Sequence, residues 1–307
     1  MKTINTLFLL LAISGFTFFS YPQDEEDTLQ TKVEDECSSD SSELFDFDFD
    51  WDKDKMDFGL KGSPTISLNY GQSKINLSSF SSDFRNTNNP ELKLGYTDIR
   101  ASKYSEDVLR YRFNHIFLGN FFTRVKNENS ANPNIQTDMW RFGFGWASGY
   151  GYDLGKSSII PFHSTSLAWS RVKFKDMPTN LEEAKIAERY NESFRFGSGA
   201  EAGIRFKVIP LISVDISYER SIIFERHLFW KWAGSGIIEA ASQGMLDHFI
   251  GKIGKSSPLA LPIVSVILKS AFSYGIYELR QEKMNWPFNS AAPLSYDQFK
   301  VGMTFNF

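Results

Sequence analysis

Hydrophobic and polar positions alternate with a period of two over long stretches of this chain. Between 139 and 152, Trp140, Phe142, Phe144, Trp146, Tyr150 and Tyr152 interleave with Arg141, Gly143, Gly145, Ala147, Gly149 and Gly151. A strand turns successive side chains to opposite faces, so one face here is a wall of aromatic rings and the other is nearly bare backbone. The pattern returns at 193–207, where Phe194, Phe196, Ala200, Ala202, Ile204 and Phe206 oppose Arg195, Gly197, Gly199, Glu201, Gly203, Arg205 and Lys207. It returns again at 212–224, with Ile212, Val214, Ile216, Tyr218 and Ile222 against Ser213, Asp215, Ser217, Glu219 and Ser221. Read along the whole chain, the alternation predicts eight strands, at 64–72, 91–99, 109–118, 138–153, 158–173, 193–208, 211–224 and 296–307, with 75–80 and 121–125 as extensions of or alternatives to the first and third.

A soluble sandwich also alternates, but its outward faces carry Lys, Thr and Glu and its strands are shorter. A closed membrane barrel reverses the sense, with aromatic and aliphatic side chains facing lipid and small, polar or charged ones lining the inside. Glycine and serine opposite a greasy face fit the barrel. The fold class expected is therefore all-β, a closed antiparallel transmembrane barrel of about eight strands with a helical insert before the last. Connection lengths agree: 154–157 and 209–210 are tight turns, whereas 174–192 and 225–295 are long, the asymmetry expected of a barrel with both termini on one side.

The ends add to this picture. Lys2 followed by the apolar run Leu7 to Phe19 has the order of a secretory signal peptide, placed at 1–23, and the alternative is a single N-terminal anchor helix. Residues 24–57 hold fifteen acids against three lysines, a net charge of -12, while the body carries +7. This acidic low-complexity segment, read as periplasmic, has too few apolar groups to fold alone. The domain plan is then 1–23 signal, 24–57 acidic segment and 58–307 barrel, with 225–295 as insert.

At the other end, Phe299, Val301, Met303, Phe305 and Phe307 alternate with Gln298, Lys300, Gly302, Thr304 and Asn306. This resembles the terminal strand of Gram-negative outer-membrane barrel proteins, a polar-x-Gly-x-x-aromatic-x-aromatic pattern matched by Lys300, Gly302, Phe305 and Phe307. The resemblance implies an outer-membrane location, contact with outer-membrane lipid and a transient partner, the barrel-assembly machinery. Its function class is a non-enzymatic porin-like barrel serving envelope integrity, small-solute passage or surface interaction.

Arg110, Arg112, Arg141, Arg195 and Arg205 are expected to point inward beside Glu201, Asp215 and Glu219. Charges withdrawn from water must pair, so a lumenal ion-pair network is expected, with an ion-selective channel as the alternative. The insert has helical texture: Trp230, Ile237, Ala241, Met245, Phe249 and Ile253 recur at helical spacing, and Leu259 to Tyr277 forms a second apolar stretch. A helical hairpin capping the barrel mouth is the leading reading. A helix in the lumen or an amphipathic pair on the membrane surface are the others; Pro262, Ser265 and Lys269 speak against a membrane span.

Candidate chemistry is sparse. A lone Cys37 excludes an internal disulfide, and His115, His163, His227 and His248 never fall at metal-ligand spacing. An EF-hand reading that starts at Asp48 and continues through Asp50 and Asp52 fails because Lys53 stands where Gly is needed and Gly59 where Glu is needed. Gly254-Lys255-Ser256 is only the tail of a phosphate loop. Scattered basic residues point to no nucleic-acid partner. No cofactor or metal is expected. A lipid acyl hydrolase or acyltransferase is the alternative function. His163 beside Ser164 and Ser166 is its best candidate, but within one strand the histidine and those serines face opposite ways; the insert's His227 and His248 have carboxylates nearby at Glu225 and Asp247 but no positioned nucleophile.

Overall fold

The computed structural model describes residues 62–81, 83–123 and 135–307. The expected signal and acidic segments, including Cys37 and the Phe-Asp repeat, lie outside the described residues.

Eight strands form, β1 (Ser63–Leu77), β2 (Thr87–Ser102), β3 (Ser105–Phe121), β4 (Thr137–Asp153), β5 (Ser158–Phe174), β6 (Phe194–Lys207), β7 (Ile212–Ile223) and β8 (Leu294–Asn306). Neighbours in sequence pair antiparallel, and β1 closes onto β8 from Thr65 opposite Asn306 to Leu77 opposite Leu294. Closure leaves no strand edge with unpaired amides, the condition a sheet must meet in hydrocarbon. The barrel has a near end, where Ser63 and Asn306 lie, and a far end. The near end carries the short connections 103–104, 154–157 and 208–211; all the long ones are at the far end. At 154–157 the Asp153 carboxylate accepts from the Gly155 amide (2.9 Å), and Gly155 sits at φ +83, a conformation that strains any side chain with a Cβ.

Cross-strand pairs fix which face each residue takes. Gly145 pairs with Ser166, Ser164 with Glu201, Glu201 with Glu219 and Glu219 with Gln298, and this set lines the lumen. The opposite set faces out: Leu68, Ile116, Trp140 and Phe299 are 53%, 59%, 52% and 52% exposed, so the apolar belt looks away from the barrel. One pair of expectations is corrected. Arg110 and Arg112 pair with Tyr150 and Ser148 on the outer face, because β3 turns Tyr111, Phe113, His115 and Phe117 inward instead. Those bulky rings need the glycines across from them. A Cβ at Gly145 would stand 2.7 Å from His115 Nε2, so the bare positions on β4 make room for the large ones on β3.

Among the described residues, three helices interrupt the far-end connections: α1 (Leu181–Tyr190), α2 (Phe229–Ser256) and α3 (Leu261–Glu282), the last two joined through a 3-10 turn at Pro258–Ala260. The Asn180 side chain caps α1 by accepting from the Glu182 amide (2.9 Å). Tyr190 and Ala187 of this helix pack with Leu77, Phe121, Val172, Ile223 and Tyr296 in an apolar cluster at the far mouth. Glu183, buried, accepts from both the amide and the hydroxyl of Ser81 (2.8 and 2.6 Å).

The insert does not cap the mouth. α2 starts at the far end, where Trp232 meets Phe196 edge-on at 5.5 Å. It reaches the near end, where Gly254 lies against the ring of Tyr104 and Ile250 packs with Val108 and Leu261. Tyr152 Oη donates to the Leu259 carbonyl (2.7 Å), and α3 returns past His163 to Tyr277 and Met284, which pack near Ile222. Val108, Tyr152, His163, Phe196 and Ile222 all belong to the outward-facing set. The hairpin therefore lies along the outer wall over the whole height of the barrel, and the capping role expected of it belongs to α1. The periodicity at 229–277 shows that helices form, but not which surface of the barrel they cover.

Phe144→Arg puts a guanidinium at mid-height on the outward face and is expected to cost about 2–4 kcal/mol of barrel stability in a bilayer. The urea midpoint of the folded band after reconstitution measures it.

Candidate functional site

The lumen is where the strand pattern concentrates ionisable groups. Lys300 of β8 sits at its centre, with Nζ 2.6 Å from Glu219, 2.9 Å from Glu201 and 3.2 Å from Glu91. Arg141 of β4 pairs with Glu219 (2.7 Å) and approaches Glu91 (3.8 Å), while Lys93 of β2 pairs with Glu201 (2.8 Å) and lies 3.5 Å from Glu91. Three carboxylates thus face three cations, and the remaining lone pairs are taken up locally. Ser217 donates to Glu201 (2.6 Å), Ser221 to Glu219 (2.7 Å), and Gln298 to Glu219 (2.6 Å). Asn89 in turn donates to Gln298 (2.9 Å). A second cluster lies nearer the termini, where Arg205 holds Asp215 through two bonds of 2.7 Å and Thr304 donates to the same carboxylate (2.6 Å). The fork geometry of a guanidinium on a carboxylate makes this the stronger kind of charged hydrogen bond.

Of the residues expected in a lumenal network, Arg141, Glu201, Arg205, Asp215 and Glu219 are brought together in the interior. Arg195 is not: it lies at the far end and its guanidinium donates to the Arg189 carbonyl of α1. Glu91, Lys93 and Lys300 were missed as members. The sequence signal of Lys300 is its place in the C-terminal pattern, and Glu91 and Lys93 stand at the start of the predicted strand 91–99, whereas β2 itself begins at Thr87. Gly302 shares the inward face with Lys300, and Phe305 faces outward.

Aromatic rings fill what the charges leave. The Arg141 guanidinium lies over Phe117 at 4.5 Å, and Arg205 over Tyr111 at 5.0 Å. The void among Asn69, Lys93, Tyr111, His115 and Glu201 is about 10 Å³, the scale of a single water.

On the outer wall the structure does bring a histidine to a serine, though not to those the sequence suggested. Ser164 and Ser166 face the lumen, whereas His163 Nε2 lies 2.8 Å from Ser273 Oγ of α3, with Asp247 and Lys269 within electrostatic reach. A partner 110 residues away leaves no local sequence signal. His227, at the far rim, stands edge-on to Phe196 at 5.3 Å, and burial holds its imidazole below the ordinary pKa. Among the described residues, no group of three or more His, Cys, Asp or Glu side chains could hold a metal ion.

No protein-family model and no curated protein matches the chain. Among solved structures it is similar to the Neisserial surface protein A, at 11% identity and a TM-score of 0.38, over 80% of this chain and 97% of that one. It is similar also to Ail, the attachment invasion locus protein of Yersinia pestis, at 9% identity and 0.32, over 80% and 99%. An outer membrane channel from Pseudomonas putida F1 aligns at 8% identity and 0.21, over 81% and 97%. The chain is a small closed eight-stranded antiparallel barrel, resembling these outer-membrane barrels; no residue's role is carried over from them.

Lys300→Met leaves Glu91, Glu201 and Glu219 with two cations in a closed interior. A buried pair broken from one side costs about 3–5 kcal/mol, so the compact, heat-modifiable band is expected to melt at clearly lower temperature. Lys231→Met, an exposed cation whose bond goes to the Asn289 carbonyl, should leave that temperature unchanged.

Proposed function

We propose that this chain is an integral outer-membrane protein that works through its surfaces, strengthening the envelope or presenting its far-end segments to the outside, and that it does not conduct solutes. The observation that carries this reading is the combination of an apolar belt facing outward with a lumen closed by paired charges and rings. On this reading the near end is periplasmic and the far end external. Residues 1–23 direct export, the acidic segment 24–57 stays in the periplasm, and Lys300, Gly302, Phe305 and Phe307 are read by the barrel-assembly machinery. Lys300 then serves twice, as part of that pattern and as the buried hub.

Small-solute passage is disfavoured by size. Eight strands leave an interior that side chains fill, and here they fill it down to the volume of about one water. Attachment to a partner would fall to the far-end connections, among them 175–193, which holds α1.

A second reading, an enzyme acting on lipid acyl esters, is favoured by one contact, the His163 to Ser273 hydrogen bond on the lipid side of the wall. Two features place it below the first. His163 is buried beneath α3, and Ser273 lies in the middle of a helix whose amides are consumed by its own hydrogen bonds, leaving none to steady an oxyanion.

Three measurements follow. Fractionation should place the protein in the outer membrane, with migration on a gel that changes on boiling; presence in the soluble fraction would end the proposal. In a planar bilayer the purified protein should give near-zero current, and stable ohmic steps would reinstate the channel. A fluorophosphonate probe should leave Ser273 unlabelled, and labelling abolished by His163→Ala would bring the enzyme reading to the front.

A further inference from the structure

We propose that the α2–α3 hairpin is embedded in the membrane hydrocarbon alongside the barrel, forming a second, helical lipid-facing layer on the outer wall. The inference rests on the outer-membrane reading and goes beyond it, because a barrel of this size needs no helix in the bilayer.

Dimensions come first. At about 1.5 Å per residue, the 28 residues of α2 rise about 42 Å and the 22 of α3 about 33 Å, against a hydrocarbon thickness of about 30 Å. The hairpin joins the near-end connections at Tyr104 and Tyr152 to the far-end rim at Phe196 and Ile222, so it spans the same height as the strands it covers. Pro258–Glu282 is long and apolar enough to cross a membrane.

The surfaces match as well. Turned away from the barrel, Ile237, Met245, Phe249, Ile263 and Ile267 are 70%, 55%, 54%, 52% and 58% exposed. This face stands beside the exposed belt of Trp140, Phe144, Ile204 and Ile216, and toward the far rim the two meet where Arg220 lies over the Tyr274 ring (4.2 Å) and Tyr277 donates to Asp297 (2.9 Å). If the belt meets lipid, the hairpin meets the same lipid, since both stand on one wall at one height.

The three residues that argued against a span lose their force in the fold. Pro262 lies in the first turn of α3, where the missing amide has no intrahelical partner to lose. Ser265 is buried. Lys269 pairs with Asp247 of α2 at 2.9 Å, and nearer the external end Arg280 pairs with Glu239 at 2.8 Å and donates to Ser235. Each mid-height charge is therefore neutralised by the other helix. Lys252 and Lys255 of α2 fall by the near-end turn, and Lys231 by the far rim, at the two water interfaces. A further polar contact, His163 with Ser273, faces the wall and pins the hairpin to it.

Spin labels test this in the full chain carrying Cys37→Ser, reconstituted in phospholipid vesicles. Single cysteines would replace Met245, Ile263 and Ile267 on the hairpin, Leu68 and Met303 on the bare side of the wall, and Lys156 in a turn. Accessibility to oxygen and to a water-soluble nickel chelate is read at each. The expected result is that the hairpin labels match Leu68 and Met303, with oxygen favoured, while Lys156 favours nickel. Hairpin labels that favour nickel while the wall labels stay in lipid would overturn this inference and leave the barrel reading intact. Wall labels that favour nickel would overturn both. Hairpin labels shielded from both reagents, and freed on dilution with excess lipid, would assign the face to a second copy and overturn the lipid assignment.

Discussion

Lys300 Nζ within 3.2 Å of three carboxylates is the interaction around which the rest of the barrel is arranged. A sheet whose apolar side chains turn outward has only its inside left for charges, and an inside cut off from water tolerates charges only in balanced, hydrogen-bonded sets. Glu91, Glu201, Glu219, Lys93, Arg141 and Lys300 come from β2, β4, β6, β7 and β8, so Lys93 with Glu201, Arg141 with Glu219 and Lys300 with Glu91 tie β2 and β4 across the lumen to strands they never pair with. The same groups that tie the strands together also fill the lumen, so packing and charge pairing are one property here.

The helices follow from the same constraint at the two places where the sheet cannot meet it. At the far mouth the strands end in apolar side chains above the charged layer, and α1 covers them with Ala187 and Tyr190 while its polar groups bind Ser81. On the outer wall, α2 and α3 can lie against greasy strands only if their charges find partners within the hairpin. Asp247 with Lys269 and Glu239 with Arg280 supply those partners. Small residues let the layers approach: Gly254 admits the ring of Tyr104, where a Cβ would stand 2.9 Å from it.

Much of the barrel was legible because strand periodicity is local. Trp140 to Tyr152 and Phe299 to Phe305 announce their facing within a few residues, and β4 to β8 form close to the predicted bounds. β3 was harder, since Tyr111, Phe113 and Phe117 oppose Ile116 and Leu118, apolar on both sides, and Arg110 and Arg112 were assigned to the wrong face. The lumenal network was half legible: its carboxylates on β6 and β7 stand out against glycine and serine, while Glu91 and Lys93 are hidden in a strand with a weak pattern.

The amino-acid sequence alone determined the all-β class, the number of strands, the inward and outward faces of most of them and the presence of two helices before the last strand, because each depends on spacings of two to four residues. The folded chain decided which charges meet, that α1 closes the mouth, that the hairpin lies on the outer wall and that His163 finds Ser273. These are contacts between segments distant along the chain, as β1 is from β8 and His163 from Ser273, so no local spacing announces them.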